Sequence, residues 1–186
     1  MFYFPAILSL AIVGLIWNWI YLPDIGLINQ VLGALGLTAL QHNWLSDPNF
    51  ALYAVMLAAT WNATGLPMLL FLAGLQTINP EVLEAAKVDG ATNRQVFYKV
   101  TLPYISATVV AVATITAIGA LKVFDIVAAT TGGNFGTSTV ANEFYRVYFV
   151  QGRLGFGSAY AVLLFLLVIP VVVMNRRAQQ RAEERS

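Results

Sequence analysis

The sequence predicts an all-α, polytopic transmembrane helix bundle, with four spans and one polar loop between the second and third. Three observations predict it. Apolar residues make up 59% of the chain and charged residues only 10%, where soluble domains carry about 25% charge. Four stretches, about residues 2–21, 51–75, 104–121 and 158–175, approach the roughly 20 apolar residues that cross a bilayer. None of these stretches holds an Asp, Glu, Lys or Arg. Between the second and third lies a polar island, residues 76–103, that carries strong helix punctuation.

Composition also excludes classes. The chain has no cysteine and one histidine, so disulfides and thiolate metal sites are ruled out and no metal-ligating set is predicted. His42 is expected to be a polar residue of an outer loop. The net charge of +1, with no basic stripe interleaved with aromatics, argues against nucleic acid as a partner. A membrane-embedded enzyme needs convergent titratable groups inside the bilayer. None is found, so no catalytic residue, cofactor or metal is assigned.

The opening run, MFYFPAILSLAIVGLIWNWIY, lacks a basic start and a small-residue cleavage site, so it reads as a span and not as a cleaved leader. In the linker from Leu22 to Phe50, Pro23, Asp24 and Gly26 make a turn. Ile28–Leu40 is apolar at helical spacing but too short to cross. It reads as a helix at the outer interface, with Trp44 at headgroup depth. The second span carries Trp61, Asn62 and Thr64 near its middle, where a polar amide is costly unless it faces protein or water. Pro67 bends that span near Gly65. Trp61, Asn62 and Thr64 are candidates for a translocation path, Trp61 stacking on a ring and Asn62 bonding hydroxyls. Packing with a satisfied Asn62 is the equal alternative.

The polar island reads NPEVLEAAKVDGATNRQVFYKVTLP from Asn79. Asn79 caps a helix, Pro80 suits its first position, and Glu81 and Glu84 sit near its positive end. Gly90 takes the left-handed backbone that ends it. A second short helix runs from about Thr92 to Val100, and Leu102-Pro103 leads into the third span. That span alternates small residues suited to close packing. Thr114 and Thr116 on it are further pore-lining candidates. Lys122 and Asp125, three residues apart, are expected to pair. A Thr/Gly turn follows, then an amphipathic stretch from Val140 to Val150 and the last span. Residues 1–175 thus form a transmembrane domain and residues 176–186 a basic tail, in which Arg176 and Arg177 anchor the exit.

Orientation follows from basic residues. Seven of the ten Lys and Arg lie in the polar island or the tail. Four spans place these on one side, which makes both chain ends and the island cytoplasmic and both long linkers external.

Glu84-Ala85-Ala86, then Gly90 after three residues, then Val100-Thr101-Leu102-Pro103 after nine more, resembles the cytoplasmic EAA loop of ATP-binding-cassette (ABC) importer permeases. Only Val100 departs, where the pattern has Ile. Gly26-Leu27-Ile28-Asn29 and Gly155-Phe156-Gly157-Ser158-Ala159 resemble the sugar-type branch, which includes the maltose and glycerol-3-phosphate permeases. Asn134 stands where that branch has proline. The resemblance implies a permease of the type I importer kind in a bacterial inner membrane. It also implies a second permease subunit, cytoplasmic ATP-binding subunits, an extracytoplasmic solute-binding protein and a sugar-like solute as partners. Further spans are expected ahead of Met1. The chain carries no Walker A loop, so ATP hydrolysis is assigned to a separate subunit. Coupling to that subunit is implied for Glu84, Ala85, Ala86, Asp89, Gly90, Leu102 and Pro103. Two other readings compete: a permease for a non-sugar solute, and a membrane assembly subunit that moves nothing.

Overall fold

A computed structural model describes the backbone of residues 3–183 and the side chains of residues 3–176. Phe2 of the first predicted span, and Arg177, Arg181 and Arg185 of the tail, lie outside the described side chains. Among the described residues every regular element is helical. They form two compact units, Met1–Gly65 with Ala120–Leu166, and Leu66–Gly119 with Leu167–Ser186.

The first unit begins with α1 (Phe4–Ile7) and α2 (Leu10–Ile20). The expected single span is broken between them. Leu8 is extended, and Ser9 caps α2 by accepting the Ile12 N–H at 3.3 Å. The break strands carbonyls that lipid cannot hydrate. Asn62 Nδ2 reaches the Leu8 carbonyl and also the Pro5 carbonyl, which accepts the Leu8 N–H at 3.2 Å as well. At 1.5 Å per residue α2 extends only about 16 Å, less than the roughly 30 Å hydrocarbon core.

The linker folds into α3 (Leu27–Ala34) and a 3₁₀ turn, Thr38–Leu40. Gly26 is obligatory at its start, because an added Cβ would lie 2.3 Å from the Leu22 carbonyl oxygen. Asn29 is the hub. It is 4% exposed, its Nδ2 donates to the Pro23 and His42 carbonyls, and its Oδ1 accepts the Trp44 indole N–H at 2.8 Å. Its own carbonyl accepts Gln41 Nε2 at 2.7 Å. Trp44 is thus tied to Asn29 by its polar end. His42 stacks on Phe50, with centroids 4.2 Å apart.

Next come α4 (Ala51–Ala63) and, after Ala120, α10 (Asp125–Thr130). The core of the unit joins Val13 of α2, Val55 and Ala58 of α4, and Ile126 and Val127 of α10. Asn18 fastens α2 to α10 through its Nδ2, which donates to the Ala129 carbonyl at 2.6 Å. The expected Lys122–Asp125 ion pair is absent. The helix ends at Leu121 and restarts at Asp125, so the two are not one turn apart on a common helix. Asp125 instead lies in the first turn of α10, where the helix dipole favours a carboxylate. Among the described residues the ion pair is Glu143–Arg146, within α11 (Val140–Tyr145) and the π-helical turn Arg146–Val150 that follows it.

The second unit holds α5 (Gly65–Gln76), α6 (Pro80–Val88), the helical run Asn93–Tyr104 and α9 (Ser106–Leu121). That run comprises α7 (Asn93–Val96), a π turn at Phe97–Thr101 and α8 (Leu102–Tyr104). α9 starts at Ser106 and not at Tyr104, because the chain turns by 71° between Tyr104 and Ser106. α12 (Leu154–Glu183) closes the chain. Two helical stretches, Ala51–Gln76 and Leu154–Arg176, are long and apolar enough to cross a membrane, and the bent pair Asn93–Leu121 makes a third if it is one span. Only 6% of the apolar window in Leu154–Arg176 is buried by the rest of the chain, as befits a surface whose solvent is lipid.

Replacing Asn29 with Leu removes the partner of two part-buried carbonyls and of an indole N–H, at about 1 kcal/mol for each lost hydrogen bond. Hydrogen exchange in detergent should therefore accelerate across residues 23–44 while residues 158–170 exchange as before.

Candidate functional site

The polar island forms a rigid corner. Asn79 is extended, and its Oδ1 accepts the Glu81 N–H at 3.0 Å. Pro80 follows at the first helical position, where a missing N–H forfeits no bond. Glu81 in the first turn and Lys87 in the last complement the helix dipole. At the far end Gly90 has φ +81°, a conformation costly for any residue with a Cβ. The Gly90 N–H donates to the Lys87 carbonyl at 3.0 Å and the Ala91 N–H to the Ala86 carbonyl at 3.1 Å. These are the paired bonds of a glycine-terminated helix. Thr92 opens the next helix with a reciprocal cap. Its N–H donates to Gln95 Oε1 at 2.8 Å, and its Oγ1 accepts the Gln95 N–H at 3.4 Å. Ala91 alone lies between Gly90 and Thr92, so the corner has little freedom.

Beyond Val96 the helix widens. The Leu102 N–H bonds to the Phe97 carbonyl, five residues back. Pro103 accounts for this: it cannot donate to Lys99, and its ring crowds that carbonyl, so the turn ahead of it opens into the π form.

The structure sorts the predicted coupling residues into three places. Glu84 and Ala85 stand exposed on α6, followed by Val88 at 87% exposure. Ala86, Asp89 and Gly90 line a concavity of about 300 Å³, with Gln95, Lys99 and Val100 on its other wall. Leu102 and Pro103 sit beyond the π turn. Sequence reading missed the Thr92–Gln95 cap, although Thr-x-x-Gln is its signature. It also missed the π turn, which Pro103 signals only once the helix is known to run through it.

Asn62 is engaged in holding the α1–α2 break. The Thr64 hydroxyl turns back to the Thr60 carbonyl at 2.6 Å, and that of Thr114 to the Val110 carbonyl at 2.8 Å. Thr116 is exposed. Trp61 is 38% exposed and meets Trp17 edge-on, centroids 5.9 Å apart.

On α11 the Glu143 carboxyl is held below its ordinary range. The Ser138 hydroxyl, donating to it at 2.6 Å, is the largest cause; desolvation opposes it, and Arg146 adds to the lowering.

Residues 2–184 match the family model described as the binding-protein-dependent transport system inner membrane component. The chain belongs to that family. This family member is 37% identical, over 98% of its length, to the osmoprotective compounds uptake permease protein GgtC of Synechocystis sp., and spans 67% of that protein. It is 38% identical, over 93% of its length, to the sulfoquinovosyl glycerol transport system permease protein SmoG of Agrobacterium fabrum, and spans 56% of that one. A crystal structure of a bacterial ABC transporter involved in import of the acidic polysaccharide alginate has the same fold. It shows a TM-score of 0.85 at 24% identity, covering 97% of this chain and 63% of that one. The family and the apolar helices together make the chain a membrane protein.

Two outcomes test the local geometry. Thr92→Ala removes a cap worth about 1 kcal/mol, so amides 93–96 should exchange faster while those of α6 do not. Because the Glu143 pKa is lowered on folding, its contribution is complete above the ordinary Glu range and is lost as pH falls through the folded value. The 140–150 segment should therefore open on acidification, read as hydrogen exchange corrected for intrinsic rate, and Glu143→Gln should remove that dependence.

Proposed function

We propose that this chain is the membrane-spanning part of a permease subunit in an ATP-driven, binding-protein-dependent importer of a sugar, polyol or sugar phosphate. The observation that carries the reading is the Asn79–Thr92 corner: a short helix capped at both ends, whose outer face, with Glu84, Ala85 and Val88, no described residue covers. A helix fixed this way costs little further ordering on binding. It suits a helix-in-groove contact with a cytoplasmic ATPase, Glu84 pairing with a basic groove residue and Val88 entering an apolar one. The relative SmoG, named for sulfoquinovosyl glycerol transport, supports a polyhydroxylated solute.

The mechanism uses the chain as a lever. ATP binding brings two ATPase subunits together and shifts the corner. The Asn93–Tyr104 helix passes the movement through its π turn to α9. ATP thereby biases an existing equilibrium between inward- and outward-open states. Four crossings place the corner and both chain ends in the cytoplasm and the two long linkers outside, where a solute-binding protein delivers its cargo. In this scheme residues 1–175 span the membrane beside a second permease, and residues 176–186 form a cytoplasmic tail. Trp61, Thr114 and Thr116 offer an aromatic face and hydroxyls to the passing solute. Asn62 acts one step back, by holding the first span's break in place. The chain itself performs no chemistry.

In the assembled importer, Gly90→Val should abolish co-purification of the ATPase while leaving membrane insertion intact. Glu84→Ala should leave the complex assembled but lower solute-stimulated ATP hydrolysis by about tenfold, the effect of losing one charge-assisted contact of roughly 1.4 kcal/mol. Full stimulation in Glu84→Ala would remove that residue from the coupling path.

A further inference from the structure

The outer linker holds a cavity of about 440 Å³ that the transport reading leaves unused, lined by Pro23, Asp24, Asn29, Gln30, Gly33, Ala34 and Gln41. Its walls are fixed before any ligand arrives. The four bonds of Asn29 tie α3 to Pro23, His42, Trp44 and Gln41, and Gln30 Nε2 is pinned to the Asp24 carbonyl at 3.1 Å. What stays unengaged decides the ligand. Among the described residues, the Asp24 carboxylate and the side-chain oxygens of Gln30 and Gln41 take part in no hydrogen bond, and each of these amides has a second N–H to give. No Lys, Arg or His lines the cavity. The free groups are therefore mostly acceptors, with neutral donors beside them and one negative charge. Hydroxyl groups, which both give and accept, match that set. A phosphate or carboxylate would face Asp24 with nothing to compensate it.

We infer that this cavity is a binding site for a neutral polyhydroxylated solute, outside the membrane and separate from the path residues. It rests on the sugar-import reading and adds to it a preformed waiting site on the permease. Carboxamides held in place beside a free carboxylate recognise hydroxyls because the desolvation of each is matched by two-way bonding.

The chain has no cysteine, which permits a direct test. Ala34→Cys in the full importer, in nanodiscs without binding protein, is labelled with a small thiol reagent, with maltose as probe and glucose 6-phosphate as control, both millimolar. Maltose should slow labelling several-fold and glucose 6-phosphate should not. Asp24→Asn combined with Gln30→Ala should erase the protection. Equal labelling with and without maltose, equal protection by both sugars, or protection seen only once binding protein is added would each overturn the assignment. The last outcome would make the cavity a protein seat. ATPase co-purification and solute-stimulated ATP hydrolysis, measured on the same preparation, report separately on the transport reading. If they are normal while maltose gives no protection, only the cavity assignment falls.

Discussion

A carbonyl released by a break in a helix has no water to turn to when the surrounding chain is apolar. In this protein, side-chain amides take water's place. Asn62 covers the break between α1 and α2, Asn18 closes on the end of α10, and Asn29 gathers carbonyls of the Leu22–Phe50 linker. Each amide comes from a different element than the carbonyl it reaches across to, so the same bonds that satisfy the backbone also fix the tertiary arrangement. Apolar packing of Val13, Val55, Ala58, Ile126 and Val127 supplies attraction without direction. The amides supply the direction. This is why a chain so poor in charge needs Asn18, Asn29 and Asn62 where they are.

The second unit solves a different problem. Its corner is not held by distant contacts but by its own sequence: Asn79 and Pro80 at one end of α6, Gly90 and the Thr92–Gln95 pair at the other. Local caps make the shape independent of what lies around it. The proposed contact with a separate subunit gains from this, since the form of the corner does not have to be created on contact. The free surface of Glu84 and Val88 and the concavity behind Ala86 are then two sides of one preformed projection.

Much of this was legible in the residues. Composition and the charge-free stretches pointed to a helical membrane protein, and the family match bears that out. The caps of α6 were readable because each rests on side chains within a few positions. Broken elements were not readable. Leu8 and Ser9 lie in an unbroken apolar run, and the amide that makes their break tolerable arrives from Asn62, far along the chain. The 71° bend falls between Tyr104 and Ser106, past Pro103, where no residue type marks it. Lys122 and Asp125 have the spacing of a pair, but the helix ends between them. Asn62 was legible as a polar residue in an apolar stretch. Its partners were not, so holding a break and lining a path could not be told apart. The phrase Gly26-Leu27-Ile28-Asn29 pointed toward a solute class. The structure gives Gly26 and Asn29 architectural reasons of their own, a close backbone approach and a bonding hub.

The widened turn at Phe97–Thr101 has a geometric corollary. A five-residue hydrogen-bonded loop takes up one residue more than an α-helical turn, so side chains on its two flanks are offset by one step of about 100°. The stripe that includes Arg94 does not continue along Leu102–Tyr104. The interval between Gly90 and the Leu102-Pro103 step therefore contains one surplus residue, stored as winding. Change that count and everything downstream is rotated about the helix axis by the same step, which makes the length of this interval a setting of azimuth as much as of reach.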